Sequence, residues 1–151
     1  MTGAEERIRG LIHRACDCLD REAWDGFLAL CTADFRYRIT AHSPELRKPM
    51  VWFDHDRESL KALLDMVPQH LRRLGTLLRH VSVGAIDING GAATAQSTFQ
   101  IIHTDHDGRS HLLAVGRYHD VIDLGGGNTL LKSRDSRLET RDVGIGSHVP
   151  F

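Results

Sequence analysis

LLRHVSVGAIDINGGAATAQSTFQIIHT (77–104) is the stretch on which the fold turns. Two β-rich runs, 77–88 and 92–104, flank Asn89-Gly90-Gly91, a turn signal that joins adjacent antiparallel strands. Two more runs, 110–123 and 129–142, follow across DHDGR (105–109) and GGGN (125–128). Upstream the period changes. Ile8, Leu11, Ile12, Ala15 and Leu19 recur at helical spacing within 4–19. Asp20 is placed to cap a second helix striped by Trp24, Phe27, Leu28 and Cys31, and DFRYRITAH (34–42) alternates like a half-buried strand. Helices followed by an antiparallel meander predict an α+β fold, and strands this long twist, so the sheet should curve around the N-terminal helices.

At 151 residues the chain suits one domain, 1–151, with a real core. A net charge of −1 without basic runs gives no electrostatic footprint for nucleic acid or an anionic membrane. No apolar run approaches the roughly 20 residues that span a bilayer, and no signal-peptide pattern precedes Ile8. The odd set Cys16, Cys18 and Cys31 reads as free thiols, and the expected location is cytoplasmic.

WFDHDRESLKALL (52–64) sets Asp54, His55 and Asp56 side by side. A metal site would need ligands from elsewhere, whereas Asp56 fits a helix cap, with Arg57 to Ser59 as first turn and Leu60 opening a buried stripe. SPELRKP (43–49) before it reads as a loop, and a short helical piece is expected through Leu74. Cys16 and Cys18, two apart on a helix, point to opposite sides and cannot chelate together. With Asp107-Gly108 as a two-residue turn, His106 and His111 share one face and His103 the other, so a three-histidine site fails.

Pairing across Asn89-Gly90-Gly91 places His80, Ser82, Gly84 and Ile86 on the face of Ala93, Ala95, Ser97, Phe99, Ile101 and His103. A cavity there would allow acid–base chemistry by His80 and His103, with Tyr37 as a polarising donor, in a stand-alone isomerase or dehydratase. The opposite face carries Val81 and Val83, and HLLAVGRY (111–118) is apolar on both sides. Val81, Val83, Leu113 and Val115 are therefore the candidate interface residues. No nucleophile elbow, dinucleotide-binding glycine pattern, phosphate loop or zinc ribbon occurs.

CDCLDREAWDGFLALCTADFRYRI (16–39) followed by MVWFDHDRESLKALL (50–64) resembles the N-terminal half of small (β) subunits of ring-hydroxylating oxygenases. LLRHVSVGAI (77–86), GRYHDVI (116–122) and LLKSRDSRLETRDVG (130–144) are similar to the family's later strands, while GIGSHVPF (144–151) lies outside the resemblance. The resemblance implies a cone-shaped, cystatin-like α+β roll shared with nuclear transport factor 2-like and steroid-isomerase-like proteins. It further implies a non-catalytic structural subunit, with no cofactor or metal in this chain and no catalytic residue. The Rieske iron–sulfur cluster and mononuclear iron would belong to a large (α) partner acting on aromatic or similar small organic substrates. Partners would be that α subunit and further copies of this chain, as a trimer within a three-plus-three hexamer.

Overall fold

The computed structural model describes residues 3–66, 75–142 and 150–151. Helix α1 (Gly3–Asp20) and the short α2 (Trp24–Ala29) precede strand β1 (Cys31–Ser43), strand β2 (Lys48–Asp56) and helix α3 (Arg57–Asp65). The meander follows as β3 (Thr76–Asn89), β4 (Ala92–Thr104), β5 (Ser110–Asp123) and β6 (Leu130–Leu138). One six-stranded sheet results, in the order β2-β1-β6-β5-β4-β3, antiparallel throughout except for the parallel β1–β6 pair. No helix among the described residues is long and apolar enough to cross a membrane.

α1 lays its stripe (Ile8, Leu11, Ile12, Ala15, Cys16, Leu19) into a core shared with the sheet's inner face. The Asp56 carboxylate accepts from the Ser59 N–H at 2.8 Å and Leu60 and Leu64 are buried, so DHDRES does start a helix. Arg57 adds a tie unseen in the letters: its Nη1 donates to the carbonyls of Leu28 and Cys31, clamping α3 onto the α2–β1 junction.

Four expectations change. The loop read over SPELRKP ends earlier than expected, because Lys48 and Pro49 open an edge strand that continues through WFDHD: Asp54 pairs with Arg38 in register, and its carboxylate accepts from Arg36 Nε at 2.7 Å. Asp20 does not cap α2, whose N-cap is Ala23 without a side-chain bond; it instead accepts from Arg79, from Nη1 at 2.6 Å and from the backbone N–H at 3.1 Å. At the β4–β5 turn, Asp105 accepts from the N–H groups of Asp107 and Arg109, giving a longer loop that sets His103 opposite His111. Cys31 opens β1 rather than closing α2. The helical piece expected through Leu74 lies outside the described residues.

The pairing of β3 with β4 decides which side chains enter the cone. Ile86 pairs with Ala95, as the turn predicts, but Val83 pairs with Ser97. Gly84 and Ala85 thus oppose the single residue Gln96, a β-bulge that inverts the phase of everything before it. Arg79, Val81 and Val83 consequently turn inward, and His80 and Ser82 are exposed on the outside. A second bulge in β5 inserts Leu113 between Leu112 and Ala114. That extra residue explains why HLLAVGRY looks apolar front and back: Leu112 points out, while Leu113 and Ala114 are both buried.

Candidate functional site

Register alone lays out the inner face in rows. One row runs Tyr37–Arg134–Asp120–Ala95 across β1, β6, β5 and β4; the next runs Ile39–Ser136–Tyr118–Ser97, with Val83 beyond; the next Ala41–Leu138–Gly116–Phe99–Val81. The middle of this concave face is therefore polar. Asp120 falls in phase with Tyr118 and Ile122, and Arg134 with Ser136 and Leu138, so both charges are carried into the core.

The charges are paired. Arg134 Nε and Nη2 donate to the two Asp120 oxygens at 2.8 and 2.9 Å, a bidentate bridge with both side chains fully buried. The Arg134 guanidinium also lies 3.9 Å over the Tyr118 ring, which stacks on Phe99 at 4.2 Å. Phe99 in turn occupies the space over Gly116, where a Cβ would meet the Phe99 ring at 2.9 Å. Removing one member of such a buried pair typically costs about 3–5 kcal/mol, since the other charge is left unpaired in low dielectric.

A second guanidinium enters from β3. Arg79 binds Asp20 and also donates from Nη2 to the Pro150 carbonyl at 2.5 Å. Beside it, the Tyr37 hydroxyl donates to the Phe151 carbonyl. Phe151 is itself buried and part of the core. The segment that the sequence left unmatched thus ends inside the cone. Burial pushes the Tyr37 phenol up to about 12 and raises Tyr118 well above its ordinary value, so both hydroxyls keep their protons. Burial also raises the Cys16 and Cys31 thiols, the latter to about 12.

Not every polar group is satisfied. Ser97 Oγ, Tyr118 Oη, Ser136 Oγ and Arg134 Nη1 are buried and have no protein hydrogen-bond partner. Three of them, Ser97, Tyr118 and Ser136, are direct cross-strand neighbours. Each unmade bond at such a group costs about 1–3 kcal/mol, against a total stability of about 5–15 kcal/mol for a domain. Packing alone gives no reason to gather them.

The acid–base trio foreseen from the sequence is not assembled. His80 is exposed on the outer face, paired with Gln100, because the β3 bulge reverses its side. Tyr37 and His103 both face inward, but the Tyr37 row meets β4 at Ala95, and strand rise sets Ala95 and His103 roughly 25 Å apart. His103 sits at the far end against Leu77 and His111, its ring 4.9 Å from that of His111. Among the described residues, no group of three or more His, Cys, Asp or Glu is positioned to hold a metal ion.

The proposed interface residues divide in the same way. Val81 and Val83 pack against the core, which corrects their outward placement, and Leu113 is buried at its bulge. Val115 does lie outside, with His80, Ser82, Thr98 and Gln100, along a shallow groove of about 370 Å³. Next to it, Leu78, Ile102 and Leu112 form an apolar row across β3, β4 and β5, with Leu78 and Leu112 each 54% exposed. Sequence reasoning missed Arg79, Asp120 and Arg134. Their signal was present: a charge in phase with buried strand neighbours.

Comparison with known proteins places this architecture. A SnoaL-like domain is matched over residues 2–135. The chain is 35% identical to the β subunit of methanesulfonate monooxygenase hydroxylase from Methylosulfonomonas methylovora, over 98% of this chain and 87% of that protein. It is 32% identical to the β subunit of 2-aminobenzenesulfonate 2,3-dioxygenase from an Alcaligenes species, over 95% of this chain and 97% of that one. Among solved structures, a chain assigned as the β subunit of an aromatic-ring-hydroxylating dioxygenase from Novosphingobium aromaticivorans superposes with a TM-score of 0.82 at 20% identity, covering 98% of this chain and 97% of its own. The β subunit of benzoate 1,2-dioxygenase from Burkholderia mallei gives 0.69 at 16%, covering 94% of each chain. The curved sheet and N-terminal helices are thus the fold of dioxygenase β subunits, and the chain belongs to the SnoaL-like domain family and, within it, with the β subunits of multicomponent oxygenases.

Proposed function

We propose that this chain is the structural, non-catalytic subunit of an oxygenase, supporting a large subunit that carries a Rieske cluster and a mononuclear iron. The observation that carries the reading is the nearly end-to-end relationship to two oxygenase β subunits, 98% and 95% of the chain at above 30% identity. Geometry supports it: the only acid–base set suggested by the sequence is split between two faces, and Tyr37 is engaged by the Phe151 carbonyl. The assembly is three copies of each subunit in a hexamer. Both curated relatives are named for sulfonates, one aliphatic and one aromatic. That favours a small organic sulfonate among the aromatic and similar small substrates the complex would oxidise.

The test is to look for a Rieske-type reading frame adjacent to this chain's gene and co-express the two. The two chains should co-purify in equal amounts, and oxygenase turnover should require both. A chain that runs alone and leaves the large subunit fully active without it would refute the reading.

A further inference from the structure

One row on the outer face of the sheet is built unlike its neighbours. Register sets Arg137 of β6 directly against Arg117 of β5, and the row runs on through Thr98 and Ser82 of β4 and β3. The adjacent row, Asp54–Arg38–Asp135–His119, alternates in sign, as cross-strand charges ordinarily do. Two guanidiniums face to face weaken a sheet unless an acceptor lies between them. The acids that serve this pair stand on its flanks instead: Asp135 accepts from Arg137 Nε at 3.0 Å, and Glu139 accepts from Arg117 Nη1. Both arginine side chains remain 56% exposed, with further N–H groups of each fork to offer. Partial burial, and after it the Arg137 charge, lower the His119 pKa, so at His119 the field of Arg137 outweighs that of Asp135. On the other side of the arginines the face turns apolar, through Val115 to the row Leu112–Ile102–Leu78. Strand rise sets that row roughly 14 Å from the arginines.

We propose that the Arg117–Arg137 pair receives an acidic side chain of the large subunit, on a segment whose apolar residues lie along Leu78, Ile102 and Leu112. It rests on the assembly role proposed above and adds the chemistry of the contact. A carboxylate set between the two guanidiniums accepts from both, and converts a like-charge contact into a bridged one. Thr98 and Ser82 extend the same row with hydroxyl donors. Charge in the middle and grease at one end select a partner segment that is acidic and apolar in the same order. The pair thus weakens the free chain and strengthens the complex, which separates an interface role from a structural one.

The test uses the full chain and its large subunit in a co-purification titration. Arg117→Gln combined with Arg137→Gln should weaken retention at least ~5-fold, as expected for lost bonds to a charged acceptor. The isolated double variant should melt no lower than its parent, because a like-charge contact has been removed. Raising salt from about 0.05 to about 0.5 M should weaken the parent complex more than that of the double variant, whose charge contact is already gone. Arg21→Gln, on an arginine 75% exposed just past α1, is the control and should leave retention unchanged. A parent chain that does not bind the large subunit refutes the assembly role and this proposal together. The proposal alone is overturned when the parent complex forms but the double variant loses less than ~5-fold, melts below its parent, or keeps the parent's full salt sensitivity. It is equally overturned if the double variant keeps the large subunit and instead alters self-association of the isolated chain, since the acid would then belong to a second copy.

Discussion

Tyr37 and Tyr118 are the chain's two tyrosines, and both are fully buried in the polar belt. Their phenols are raised chiefly by desolvation, Tyr37 to about 12 and Tyr118 upward beyond its usual range. The folded state therefore holds these protons more tightly than the unfolded chain, whose tyrosines titrate near ~10. The stability that follows is complete below that value and is lost as pH climbs from there through the folded pKa. An alkaline titration followed by phenolate absorbance should show no early step. Both tyrosines should ionise together, in the same pH interval in which circular dichroism reports unfolding. A phenolate signal appearing near pH ~10 with secondary structure intact would contradict the burial of at least one ring. The same belt shows where residue-level reading of the sequence falls short. Tyr37 was recognisable because a tyrosine on an apolar strand face wants a partner for its hydroxyl. Asp120 and Arg134 were not, because a lone charge on a strand ordinarily marks the wet side. Only their phase relative to Tyr118 and Leu138 reveals that they go inward as a pair.

At the scale of elements, the long strands were legible and their sidedness was not. The run 110–123 is β5 to the residue, since GGGN and DHDGR bound it with strong turn chemistry. β2 was hidden: Pro49 and the charged residues around it read as loop, a composition that an edge strand tolerates because one side of its ladder is unpaired. The β3 bulge is invisible for a different reason. Gly84-Ala85 carries no turn signal, yet one extra residue moves every earlier side chain to the other face. This gives a direct check by neighbouring substitutions. Val83→Asp introduces a charge on the packed side and should lower unfolding free energy by about 1–3 kcal/mol in urea. Ser82→Asp, on the exposed side, should stay within about 0.5 kcal/mol of the parent. The reverse order of effects would restore the unbulged register, and with it His80 to the interior.

For the whole molecule, the two faces of the sheet have different tasks. The inner face packs against α1, α3 and Phe151, whereas the outer face is mostly polar, with Thr94, Gln96, Thr98 and Gln100 exposed along β4. The exception is the row Leu78, Ile102 and Leu112 with Val115 beside it. Apolar groups gathered at one end of a polar face, rimmed by His80, Gln100 and Arg117, have the build of an interface core. On the assembly role proposed above, the large subunit is its occupant. Leu78→Glu combined with Leu112→Glu places two charges at the centre of that contact, where buried anchors commonly contribute about 2 kcal/mol or more. The large subunit should then be retained at least ~30-fold less well in a co-purification titration. The isolated double variant should unfold within a few tenths of a kcal/mol of its parent, because both leucines are over half exposed. If the complex forms undiminished, the row faces solvent, and the large subunit must dock on the β2 edge or the helical side instead.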